Sequence, residues 1–79
     1  MGKSSHYRDE MAIKKFGNKV RQLRQSRGQT IEQFAYDVDL QVTQLSRIER
    51  GEVNTSISYI FRIATALNVA ASTLIDFEE

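Results

Sequence analysis

The sequence predicts an all-α fold, with four or five short helices around one core. Three observations carry this. Apolar residues recur at three- and four-residue steps, no useful run alternates polar with apolar, and proline is absent. Proline breaks helices, so its absence leaves each helical stretch intact. Seventy-nine residues make one domain, and 41% apolar content supports one small core.

Residues 1–10 are polar and aperiodic and read as a flexible tail, with the domain over 11–79. His6, the single histidine, lies in that tail and reads as inert. From Met11 the helical period starts, with Ile13, Phe16, Val20 and Leu23 between lysines and arginines. Gly28 ends this first helix as a C-terminal glycine does. Thr30 and Gln33 form a capping box for helix two, whose apolar side is Ile31, Phe34, Ala35 and Val38. Asp39 to Gln41 makes a tight connection, and helix three spans about 42–50 before Gly51. After the polar loop 52–55, Ser56 caps helix four, with Ile57, Ile60, Phe61, Ala64 and Leu67 as its apolar residues. Asn68 suits the left-handed end of that helix, and a fifth spans about 71–77 with Leu74, Ile75 and Phe77.

Charge is unevenly spread although the net is only +1. Residues 1–27 hold eight cations against two acids, a balance of +6, and residues 28–79 hold three against eight, a balance of −5. A basic front and an acidic back suit a protein that sets one side against an anionic polymer. With no cysteine, disulfides and thiolate metal sites are excluded, which agrees with a reducing, cytoplasmic setting. No apolar run approaches the roughly 20 residues of a membrane span, and the N-terminus lacks the apolar core of a secretory signal. No catalytic group, metal site or cofactor motif emerges: the carboxylates are scattered on expected surfaces, and one small core leaves little room for a pocket.

The stretch TQLSRIERGEVNTS, residues 43–56, carries the functional reading. At 100° per residue, Leu45, Ile48 and Glu49 share one side of helix three. Thr43, Ser46, Arg47 and Arg50 share the other, with Val42 at the flank. Lys, Glu or Gln would be ordinary filler for a solvated face. Short hydroxyls beside arginine suit close approach to a phosphate or base edge: Arg pairs with guanine O6 and N7, Thr and Val touch the thymine methyl, and Ser donates to either edge. A connection of about four residues between helices two and three has the length of a helix-turn-helix, which sets its second helix in the major groove.

With FGNKVRQLRQSRGQTIEQFA, TQLSRIERGEVNTS and ISYIFRIATALNV in place, residues 16–77 resemble the Xre, or phage-repressor-like, helix-turn-helix domains. The resemblance implies a five-helix lambda-repressor-like domain that binds double-stranded operator DNA as a symmetric homodimer. By position, Val42, Thr43, Ser46 and Arg47 would face base edges, while Gln41, Gln33, Arg50 and Asn54 would hold phosphates. Arg24 and Glu49 would form a structural ion pair. Ile31 stands where the family usually has a phosphate-contacting Gln, Asp39 replaces a turn glycine, and Thr55 replaces a proline. The size is similar to restriction–modification controller proteins. The dimer surface is expected around Val69, Leu74 and Phe77. The alternative is a protein-interaction module, an antitoxin or adaptor, using Tyr36, Tyr59 and Phe61; against it, Phe61 is expected in the core and the tyrosines half-buried.

Overall fold

The computed structural model describes residues 7–77. Among them are five helices: α1 (Glu10–Ser26), α2 (Ile31–Asp37), α3 (Val42–Glu49), α4 (Ile57–Leu67) and α5 (Ala71–Ile75). Residues 1–6 of the expected tail, with His6, lie outside the described residues.

Local chemistry sets the helix ends. The Asp9 carboxylate accepts the Ala12 N–H at 3.0 Å and starts α1. Gly28, at φ +71°, turns the chain after α1 with its N–H on the Gln25 carbonyl. At α2 the capping box is complete: Gln33 N–H reaches Thr30 Oγ1 at 3.1 Å, and Thr30 N–H reaches Gln33 Oε1 at 2.9 Å. Asp39 sits at φ 59°, so the aspartate takes the left-handed conformation and the tight turn into α3 holds. Gly51 (φ 75°) ends α3, Ser56 caps α4, and Asn68 (φ 60°) ends α4.

The core is formed by Phe16 and Val20 of α1, Phe34 and Ala35 of α2 with Val38, Leu45 and Ile48 of α3, Ile63, Ala64 and Leu67 of α4, and Leu74 of α5. Two expectations for α4 are corrected. Ile57 is 72% exposed and Phe61 59% exposed, so Phe61 is not a core residue. α4 is apolar on more than half of its circumference, and its buried arc centres on Ile60, Ile63, Ala64 and Leu67; Ile57 and Phe61 lie to one side of that arc. α5 ends at Ile75 rather than 77, because Asp76 takes an extended conformation.

α3 crosses α1 at Gly17. A Cβ there would collide with the Ile48 carbonyl oxygen and lie 2.9 Å from that of Glu49. Glycine is what lets the backbones of α1 and α3 approach this closely. Among the described residues, no helix is long and apolar enough to cross a membrane, and no group of three or more His, Cys, Asp or Glu could hold a metal.

Candidate nucleic-acid interface

α3 has two chemically distinct sides. Leu45, Ile48 and Glu49 are buried, while Val42, Thr43, Arg47 and, just past the helix end, Arg50 are exposed; Ser46 is half-buried. The division matches the helical wheel, because an eight-residue helix with two large aliphatics one turn apart has one way to face a core.

The buried side is locked by charge as well as packing. Arg24 of α1 donates from Nε to Glu49 Oε2 at 2.7 Å and from Nη2 to Oε1 at 2.9 Å, with Nη1 on the Gln29 carbonyl at 2.9 Å. The side chains are 11% and 4% exposed. Hydrogen bonding to Glu49 pushes the Arg24 guanidinium further up, against the opposing effect of burial. A bidentate pair of this kind fixes both rotation and register of α3 on α1. Glu49 is therefore spoken for by structure and offers no group for chemistry.

The outward side carries its own bonds. Arg50 donates from Nη1 to Ser46 Oγ at 2.7 Å and from Nε to Glu52 Oε2 at 2.9 Å. Arg47 Nε lies 3.7 Å from Glu52 Oε1. Ser46, expected to face bases, is thus already engaged as an acceptor for Arg50. Glu52 was no candidate from the sequence; it meets both arginines only because Gly51 folds the chain back, with Glu52 N–H on the Arg47 carbonyl at 2.9 Å. The Arg50 hydrogen bond holds the Glu52 carboxyl below the usual carboxylate range, and raises Arg50 in turn.

The other expected phosphate contacts are spread around this surface. Gln33 spends its amide oxygen on the α2 cap, which leaves its NH2 as the outward donor. Gln41 caps α3 and is exposed, and its N–H takes the amide oxygen of Gln44 at 3.0 Å. Gln44 was also missed, although the Gln41–Gln44 spacing is itself a capping signal; it lines a groove with Arg47 and Tyr59. Asn54 is exposed in the loop before α4. Ile31 is half-buried and packs against the core, so it adds apolar contact where a Gln would reach a phosphate.

The residues expected at a dimer surface divide. Val69 and Phe77 are half-buried against the core. Leu74 is corrected: it is 0% exposed within the protomer, filled in by its own core, and presents nothing to a partner. The exposed apolar residues nearby in the chain are Ile57 and Phe61 of α4 and Ile75 of α5, at 72%, 59% and 50% exposure. Of the two tyrosines expected half-buried, Tyr59 is, but Tyr36 is 87% exposed at the end of α2.

Two helices joined by a tight turn, the second held rigidly by its inner side and offering guanidiniums and hydroxyls outward, define a helix-turn-helix DNA-binding domain. The helix-turn-helix family profile matches residues 20–74, and the chain belongs to that family, of the Xre type. It is 44% identical over 63 residues to the control protein C.BamHI of Bacillus amyloliquefaciens, covering 78% of each chain. It is 36% identical over 61 residues to the control protein C.MunI of a Mycoplasma species, covering 76% of this chain and 82% of that one. The crystal structure of the restriction-modification controller protein C.AhdI from Aeromonas hydrophila superposes with a TM-score of 0.76 at 34% identity, over 78% of this chain and 94% of that one. The protein is a DNA-binding transcriptional regulator that resembles these controller proteins, in a non-enzymatic family.

Proposed function

We propose that the protein is a sequence-specific regulator that binds a near-palindromic operator as a homodimer in the cytoplasm, with residues 11–79 as the DNA-binding unit. α3 enters the major groove, where Val42, Thr43, Ser46 and Arg47 meet base edges. Gln41, Gln33, Arg50 and Asn54 hold the flanking phosphates. The observation that carries this is the outward side of α3: rigidly backed by Arg24–Glu49, yet leaving Val42, Thr43 and Arg47 in solvent. Two such helices about 34 Å apart would read half-sites one DNA turn apart.

Substitutions separate the two kinds of contact. Arg47→Ala is expected to reduce discrimination between cognate and mismatched duplexes by about 1–3 kcal/mol, the worth of one bidentate base pair contact. Arg50→Ala is expected to weaken binding to every duplex alike and to lower the salt slope by about one. Titration of cognate and scrambled duplexes over a salt series checks both. Equal loss on all sequences for Arg47→Ala would make it a phosphate contact instead.

The dimer surface moves from Leu74 to exposed Phe61, Ile57 and Ile75, with Val69 and Phe77 at its edge. Apolar side chains this exposed, on neighbouring helices, suit a self-complementary patch. Phe61→Asp is expected to leave the helical content intact and shift sedimentation from dimer to monomer. A monomeric wild type at binding concentrations would remove the homodimer. The second reading, a protein-interaction module, draws on exposed Tyr36. It takes precedence only if folded protein selects no DNA sequence.

A further inference from the structure

Glu52 is out of keeping with its surroundings. It is an acid on the side of the protein expected to meet a polyanion, and basic groups stand around it, of which Arg8 is already paired with Glu10 at 2.8 Å. Arg50 takes its carboxylate through Nε at 2.9 Å and Nη2 at 3.4 Å, and Arg47 Nε stands 3.7 Å away. Arg8 donates to its backbone carbonyl at 3.4 Å, and Lys14 packs where Gly51 passes the first helix. Arg50 is engaged further by Ser46, whose Oγ accepts from Nη1 at 2.7 Å. The planar fork that would grip a phosphate therefore already grips a carboxylate, which offers two oxygens in much the same geometry. The side chains of Arg47, Arg50 and Glu52 remain about half exposed, at 60%, 54% and 46%, so solvent reaches all three.

We propose that Glu52 is an internal counter-anion of the DNA-facing surface: it occupies Arg47 and Arg50 in the free protein, is displaced from them when duplex DNA binds, and so lowers affinity for every sequence. This rests on the assignment of the α3 outer side as the DNA surface. The consequence follows from charge. Arg47, Arg50 and Glu52 together bring a net of one positive charge to the phosphates, and without the carboxylate they would bring two. The residue sets how much protein is needed to fill any site, without choosing which site.

The test is Glu52→Gln, which keeps the shape and an acceptor oxygen but removes the charge. Binding is measured to a labelled mixed-sequence duplex and to the duplex recovered by selection, across roughly 50–200 mM salt. Affinity is expected to rise about two- to tenfold on both duplexes, the worth of one or two exposed ion pairs. The slope of log affinity against log salt is expected to steepen by about 0.9, because no freed carboxylate takes a cation back when the arginines turn to DNA. The same substitution is repeated in an Arg47→Ala, Arg50→Ala background, where most of the gain is expected to vanish. An undiminished gain there would mean simple repulsion from DNA and would overturn the clamp. Weaker binding, or a changed preferred sequence, would make Glu52 an orienting group and equally overturn it. If the double arginine variant itself binds as well as wild type, the α3 surface is not the DNA surface, and the underlying assignment fails whatever Glu52→Gln does. Melting temperature and helical signal are read alongside: the helical signal is expected to be unchanged, and the melting temperature to fall only by the small amount that exposed ion pairs contribute, because Glu52 is exposed.

Discussion

Glu49→Ala is expected to lower the unfolding free energy by about 3–5 kcal/mol, the cost of leaving one partner of a buried pair behind. The orphan is the reason. Arg24 loses two of its three hydrogen-bonded contacts and keeps only the Gln29 carbonyl. A guanidinium cannot shed its proton to escape burial. A domain of this length has a total of only about 4–12 kcal/mol, so the variant sits near the edge of folding. The reciprocal change, Arg24→Ala, strands the Glu49 carboxylate in the same buried place and is expected to cost a similar amount. Replacing both, Arg24→Met with Glu49→Leu, should cost far less than either alone. Urea unfolding at constant slope checks all three variants. A double variant destabilised as much as the two single variants summed would show that lost packing, not the stranded charge, is what matters.

Gly17→Ala is the second large effect, and its sign is the informative part. In the middle of a solvated helix, alanine is worth about 1 kcal/mol more than glycine. Gly17 lies in the interior of α1 and would by that rule be improved. The Cβ, however, would press on the carbonyl oxygens of Ile48 and Glu49, which are backbone and cannot swing aside. The expected result is a loss of about 1–3 kcal/mol, as for other overpacked sites. Because the obstructed backbone belongs to the last turn of α3, DNA affinity should fall as well, beyond what the unfolded fraction explains. Gly28 is the contrast. A Cβ there meets nothing within 4 Å, so Gly28→Ala meets only the left-handed backbone penalty at φ +71°, about 1–2 kcal/mol, with no separate effect on DNA. A Gly17→Ala protein more stable than wild type would show that α1 and α3 are not in such close contact.

What could be read from the chain and what could not divides by range. The caps at Thr30, Ser56 and Asn68 and the turn glycines at 28 and 51 were legible because a cap depends on neighbours within four residues. The two sides of α3 were legible because Leu45 and Ile48 are its only large aliphatics apart from flanking Val42. α4 was harder. Ile57, Ile60, Phe61 and Ile63 cover most of its circumference, and only its packing against α1 and α5 selects the arc through Ile63. Leu74 was expected at a dimer surface, yet α5 folds back and buries it. Gly17 carries no local signal, since its importance lies in a contact with Ile48 and Glu49, far along the chain. The role of Glu52 depends on a left-handed turn at Gly51 that brings it under Arg47 and Arg50, so charge counting along the chain could not reveal it.

The outer side of α3 is proposed to read DNA sequence. The most direct measurement is selection of bound duplexes from a randomised pool at near-physiological salt, with the protein shown folded by its helical signal. An enriched inverted repeat, with half-sites one helical turn apart and lost in the Arg47→Ala protein, is the expected result. A folded protein that enriches no sequence would contradict base reading by α3 and leave that surface to a different partner.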